Sequence, residues 1–222
     1  IALRIRQKAY ESNPNHPEIA ASYNNLGTAY QAKGEYDQAI HYHEIALRIR
    51  QKAYESNPNH PDIAGSYNNL GEAYREKGTY DQAIRYYEKA LRIIQEAYRS
   101  NPNHPKIAGS YNGLAAAYDS KGEYDKAIDY HQMVLAIRQE AYRSNPNHPE
   151  IAKSYNNLAN VYHQKGEYDK AIDYHEIALK MMKEAYSSSP NHPSIAKSYN
   201  GLANIYHQKG EYDKAIDYHE IA

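Results

Sequence analysis

Residues Ser12–Gly27 read SNPNHPEIAASYNNLG, and near-copies begin at Ser56, Ser100, Ser144 and Ser188. The second proline of each copy, at Pro17, Pro61, Pro105, Pro149 and Pro193, recurs every 44 residues. Self-similarity at such a period is the mark of a repeat architecture and takes priority over any domain count from length. All ten prolines lie in these five stretches, two in each, and none lies between them. Proline is excluded from helix interiors but accepted in loops and at the first helical turn, so the stretch separates long helices. Pro17 and its equivalents then fall near a first helical position, where Glu18, Asp62 and Glu150 add favourable negative charge. Lys106 and Ser194 at the same place suggest that this charge is optional.

Between the loops two helical segments alternate. In the first, Ile19, Tyr23, Leu26, Gly27 and Tyr30 share one helical face. It ends at Lys-Gly, with Gly34, Gly78, Gly122, Gly166 and Gly210 where a left-handed cap is expected. The second runs from about Asp37 to Glu55 and carries Ala39, Ile40, His43, Ala46, Leu47, Ile49 and Tyr54 inward. The product is a helical hairpin that cannot bury its apolar faces alone and must stack on its neighbours. The 26 tyrosines, with no Phe or Trp, recur at fixed places on these stripes. That placement predicts interhelical packing with hydroxyls at the wet edge rather than a ligand-stacking surface.

The stretch SYNNLGTAYQAKGEYDQAIHYHEIAL, Ser22–Leu47, resembles a tetratricopeptide repeat through Leu26, Gly27, Tyr30, Gly34, Tyr36, Ala39 and Ala46. Tyr23 stands where that family often has Trp, and His43, His131, His175 and His219 stand where it prefers an aromatic, a preference met at Tyr87. The long unit with its HPEIA lead-in and paired Asn24-Asn25 resembles the subclass of kinesin light chains. Gly27 and Gly71 become Ala115, Ala159 and Ala203, which still allow close helix approach. The resemblance implies an all-α solenoid, a right-handed superhelix of stacked antiparallel hairpins with first helices on the concave side. Residues 1–15 then read as part of a second helix from a preceding unit. Four repeats follow at 16–59, 60–103, 104–147 and 148–191, and a fifth at 192–222 is truncated in its second helix.

By the same resemblance the groove lining begins with Ala21, Asn24, Thr28 and Gln31, and helical geometry places these four within ~80° of one another. The second repeat offers Gly65, Asn68, Glu72 and Arg75, and the third Gly109, Asn112, Ala116 and Asp119. The fourth offers Lys153, Asn156, Asn160 and His163, and the fifth Lys197, Asn200, Asn204 and His207. Asn24, Asn68, Asn112, Asn156 and Asn200 form a ladder whose amides, with both donors and an acceptor, suit the backbone of an extended peptide. The alternative is that these amides only bond neighbouring helices. The late repeats are cationic, which predicts a partner segment with acidic residues placed against repeats four and five. The full lysine and arginine set with which some family members clamp a chaperone's terminal carboxylate is missing.

Other functions are disfavoured. With 26 Lys and Arg against 27 Asp and Glu, there is no electrostatic reason to expect nucleic acid or an anionic membrane. No apolar run approaches the ~20 residues of a membrane span, and no signal peptide is visible, so cytoplasm is the default compartment. The absence of Cys removes disulfides and thiol chemistry. The twelve histidines do not converge on a metal-binding spacing, and no nucleophile–base pair or phosphate loop stands out, so neither cofactor nor catalysis is expected. Ile221-Ala222 repeats the register of Ile1-Ala2, which suggests a piece cut from a longer array, or copies stacking end to end. A protein-interaction scaffold is the leading reading. A self-stacking or engineered array, and the sensor arm of a larger regulatory ATPase or enzyme, are the alternatives.

Overall fold

A computed structural model describes all 222 residues as eleven α-helices without a strand. They are α1 (Ala2–Ala9), α2 (Pro17–Ala32), α3 (Tyr36–Ala53), α4 (Pro61–Glu76), α5 (Tyr80–Ala97), α6 (Pro105–Lys121), α7 (Tyr124–Ala141), α8 (Pro149–Lys165), α9 (Tyr168–Ala185), α10 (Pro193–Gln208) and α11 (Tyr212–Ile221). The second helix of each pair thus starts one residue earlier and ends two residues sooner than the sequence suggests. Two compact units divide the chain, Ile1–Lys121 with α1–α6 and Gly122–Ala222 with α7–α11.

Each recurring loop is built by its own sequence. A tyrosine closes the preceding helix, and its carbonyl accepts the N–H of Asn13 at 2.8 Å. The Asn13 carbonyl accepts the His16 N–H at 3.0 Å, and the His16 carbonyl accepts that of Ile19 at 2.9 Å. Pro14 and Pro17 fill the places between, where no N–H is needed. His16 is the helix cap: its Nδ1 accepts the Glu18 N–H at 3.2 Å, a task usually given to Ser, Thr, Asp or Asn. The ring also stacks on Tyr10, with centroids 3.6 Å apart. The same cap and stack recur at His60, His104, His148 and His192. This locks the backbone turn between one hairpin and the next.

The inter-helix turns at Gly34, Gly78, Gly122, Gly166 and Gly210 all have φ between 76° and 84°, the left-handed cap that only glycine adopts without strain. In the first unit α2 packs on α3 and α4 on α5, while α3–α4 and α5–α6 contacts link the hairpins. In the second unit α8 packs on α9 and α10 on α11, linked through α7–α8 and α9–α10. Leu70, Leu114, Leu158 and Leu202 are fully buried along these seams. Each stabilises by roughly 1.5–3 kcal/mol relative to exposure. The tyrosines close the hairpins as expected: Tyr30 and Tyr23 lie 5.3 and 6.1 Å from Tyr42, and Tyr162 and Tyr155 lie 5.3 and 6.0 Å from Tyr174. On the surface, Lys77 reaches Asp37 and Lys209 reaches Asp169 across successive hairpins, at 2.5 and 2.7 Å.

Candidate functional site

The polar residues of the first helices serve packing in one unit and stand open in the other. In the first unit Asn24 is only 7% exposed. Its amide nitrogen donates to His43 Nδ1 at 3.1 Å, and its oxygen accepts from Arg50 at 3.0 Å. His43 Nε2 donates to Gln31 Oε1 at 2.8 Å, and Gln31 Nε2 donates to Glu76 Oε2 at 3.0 Å. Every donor in this relay points the same way, which requires a neutral imidazole with its proton on Nε2. Burial, assisted by the Arg50 charge, lowers the His43 pKa to about 4 and keeps it neutral. Asn24 is therefore not free to read a peptide backbone. The expectation for that rung is corrected, because the ring on α3 and the guanidinium between α2 and α4 engage both ends of its amide.

The remaining groove candidates of the first unit are also largely paired among themselves. Thr28 is exposed, but its hydroxyl donates back to the Asn24 carbonyl at 3.1 Å. Glu72 accepts from Tyr87 Oη at 2.7 Å and from Arg75 Nε at 3.1 Å. Burial pushes the Glu72 carboxyl up, yet these donors outweigh it and hold the pKa below the usual range. Asn68 Oδ1 accepts a long 3.4 Å bond from Ser110 Oγ. Asn112 and Asp119 are half-buried.

Tyr87 is wedged between glycines. A Cβ on Gly113 would lie 2.2 Å from its ring, and one on Gly71 2.9 Å away. A Cβ on Gly201 would likewise come within 2.7 Å of the His175 ring. At Gly113 the change from the second asparagine of the pair is thus a packing requirement, whereas at the place that Gly201 holds beside His175 the His43 copy has Asn69.

One determinant lies outside the expected set. Arg50 on α3 passes between α2 and α4 and donates to the Asp62 carbonyl at 2.9 Å and Ser66 Oγ at 2.8 Å. Arg6 makes the same pair of bonds to Glu18 and Ser22, and Arg138 to Glu150 and Ser154. Arg6 and Arg138 also pair with the carboxylates of Glu18 and Glu150, at 3.1 and 2.8 Å. Where the arginine is replaced, by Ile94 and Met182, the residue twelve later is Lys106 or Ser194. The helix forms without the acidic residue, as α6 and α10 show, but where Glu18 and Glu150 are present they pair with Arg6 and Arg138. That spacing of twelve, present three times and lost jointly twice, was available in the sequence. The recurring Ser-Tyr-Asn also has an explanation: the serine receives the arginine or bonds an asparagine, the tyrosine closes the hairpin, and at Asn24, Asn156 and Asn200 the asparagine meets a histidine of the second helix.

In the second unit the same face is open. His175 Nδ1 donates to Asn156 Oδ1 at 2.8 Å, and Asn156 Nδ2 makes a long 3.4 Å bond to Ser198 Oγ. Burial, with the charge of His163 adding to it, lowers the His175 pKa to about 4. A cavity of about 270 Å³ lies between α8 and α10, lined by Arg138, Lys153, Asn156, Asn160, Met182 and Lys197 among others. Lys153 pairs with Glu150, which Arg138 also holds. No carboxylate pairs with Lys197. Asn160, Asn204 and His207 are exposed, Asn200 bonds His219 at 3.0 Å, and His163 Nε2 meets Gln208 Oε1 at 2.7 Å. The structure thus brings Lys153, Asn156, Asn160 and Lys197 together at one cavity. His163 and His207 do not line it.

No helix is long and apolar enough to cross a membrane. Among solved structures, the chain is similar to a putative kinesin light chain with nearly identical TPR-like repeats from Podosopora anserina, at 28% identity over 93% of this chain and 94% of that one, with a TM-score of 0.75. BtubC (BKLC) from P. vanneervenii shares the fold at 24% identity, covering 98% and 84% of the two chains with a TM-score of 0.77. RapI in its apo form shares it at 20% identity, over 90% and 67%, with a TM-score of 0.67. No curated protein matches the chain. The tetratricopeptide repeat family model matches residues 2–52, 18–96, 62–140, 140–184 and 150–222. These overlapping matches run through both compact units, and the chain belongs to the tetratricopeptide repeat family, whose typical members are non-catalytic scaffolds for protein–protein interaction.

Proposed function

We propose that the protein is a non-catalytic interaction scaffold that holds an extended, acidic segment of a partner protein along the face of α8 and α10. The observation that carries this reading is the gathering of Arg138, Lys153 and Lys197 at one cavity, with Lys197 lacking a counter-ion. The cations do not reflect a basic unit. Residues 122–222 hold 11 Lys and Arg against 14 Asp and Glu, so positive charge is concentrated on this face of an otherwise acidic body. In this reading the asparagine ladder has a divided role. Asn24 is spent on packing. Asn156 uses one amide hydrogen on Ser198 and retains the other for a ligand carbonyl, because a carboxamide carries two. Exposed Asn160 and Asn204 extend the polar strip, with Asn200, His163 and His207 beside it.

The test is fluorescence polarisation with a labelled ten-residue peptide alternating Glu and Gly. Replacing Lys153→Glu together with Lys197→Glu puts like charge on the face and abolishes binding on this reading. Both side chains are exposed, so the variant keeps the wild-type melting curve within a few degrees. Wild-type affinity in the double variant would refute the reading.

A further inference from the structure

The cavity between α8 and α10 lies where other repeats place an arginine. Counting three repeats on from Arg50, Asp62 and Gly65 gives Met182, Ser194 and Lys197. Arg50 reaches the carbonyl of residue 62, the hydroxyl of Ser66 and the oxygen of Asn24. The corresponding groups in the second unit are the Ser194 carbonyl, Ser198 and Asn156: Ser198 bonds the carbonyl at 3.3 Å, as Ser154 bonds that of Glu150 in an arginine copy, and Asn156 bonds Ser198 at 3.4 Å with no guanidinium between them. Met182 is only 2% exposed and supplies an uncharged side chain where the guanidinium would enter. Ser194 removes the carboxylate that pairs with that guanidinium in the Arg6 and Arg138 copies. Both halves of an internal ion pair are absent, about 270 Å³ is open, and a lysine stands over it where the first unit has glycine.

Building on the acidic-segment reading above, we infer that this cavity is a carboxylate subsite for one Asp or Glu side chain of the bound segment, and that Met182 is the specificity-determining residue that keeps it open. Lys197 supplies an uncommitted ammonium. Lys153 can turn to the ligand without leaving Glu150 unpaired, because Arg138 holds that carboxylate at 2.8 Å. Amides from Asn157 and Asn160 line the same space and can donate to the second carboxylate oxygen. The subsite is therefore specified by what α9 does not insert.

Met182→Arg separates this inference from a simple surface attraction, because the two predict opposite signs. Arginine is native to this position in three other repeats, so the variant folds, as a far-UV spectrum and melting curve verify. If only net positive charge matters, an added cation tightens the Glu/Gly peptide. If the cavity is the subsite, the new guanidinium fills it and binding weakens at least tenfold, while Met182→Leu stays within twofold of wild type. A Gln/Gly peptide binds the wild type weakly, and Met182→Arg narrows its gap from the Glu/Gly peptide. Unchanged or tighter Glu/Gly binding in Met182→Arg overturns the subsite. If that occurs while Lys153→Glu with Lys197→Glu still abolishes binding, the broader reading survives. If the double charge reversal changes nothing, both fall.

Discussion

The first-helix faces of α2 and α4 and of α8 and α10 come from the same repeat written with a few different letters. On α2 and α4 an arginine fills the seam, Glu72, Arg75 and Tyr87 satisfy one another, and Gly65 offers no side chain. On α8 and α10 the arginine is Met182, its acidic partner is Ser194, and Lys153 and Lys197 rise from the positions of Ala21 and Gly65. One face is chemically closed and the other open. In a solenoid a helix hairpin is held by its neighbours, so a few seam residues can change without disturbing the ladder of stacked helices. The chemistry of the first-helix face therefore changes repeat by repeat.

The largest expected difference between the units is their response to acid. His43 in the first unit, and His131 and His175 in the second, are buried, and burial lowers each pKa to about 4. The unfolded chain binds a proton on each near pH 6.5, so stability is complete above that value and is lost as pH falls from 6.5 towards 4. The loss is about 3 kcal/mol per histidine. The first unit has Tyr87 at its other inward position, so the second unit loses twice as much. Hydrogen exchange at pH 7 and pH 4.5 should show protection falling first in α8 and α9 and later in α2 and α3. Equal loss in both would break the comparison.

The next effect belongs to the first unit alone. Gly113→Ala places a methyl 2.2 Å from the Tyr87 ring, a clash that neither helix can relieve without moving. The expected cost is about 2 kcal/mol, less than the bare strain because alanine favours the helix. Adding Tyr87→His should restore more than half of it, since His43 packs beside a full asparagine side chain, Asn69, at the equivalent place. Denaturant melts of the single and double variants measure both numbers. A neutral single variant would show that the tyrosine is not wedged.

Much of the fold was legible because it is written in local and periodic terms. Proline placement marked the loops, Lys-Gly the left-handed turns, and the spacing of Ile19, Tyr23 and Leu26 the buried stripe. The site was legible only in part. Lys153, Asn160 and Lys197 could be placed on one face by helical period, but period does not say which inward residue engages a groove amide. The Asn24–His43 pairing couples residues nineteen apart on different helices, and the Arg50–Ser66 pairing couples residues sixteen apart. Both depend on how closely hairpins approach. Nor does a face assignment reveal a cavity. Met182 reads as one more apolar residue until Arg50 shows what the position normally holds.

The smallest expected effect is also the most direct test of the contrast, because it tries to write one face onto the other. Arg50→Met, Asp62→Ser and Gly65→Lys together give α3 and α4 the residues of α9 and α10. The arginine's bonds to Ser66 and the residue 62 carbonyl are lost, but Ser66 can then bond Asn24, as Ser198 bonds Asn156. The buried Arg50 charge, whose pKa burial lowers, disappears with them. The net change in stability should therefore stay near 1 kcal/mol. A second site for the Glu/Gly peptide should appear, weaker than the native one because Ala21 still stands where the second unit has Lys153. A stoichiometry rising from one towards two by calorimetry, with the new site about tenfold weaker, is the expected result. If the triple variant folds and binds one peptide as before, the open face depends on more than these three positions, and α8 must contribute through a residue that α2 lacks. Lys153 is then the first to transplant, as Ala21→Lys.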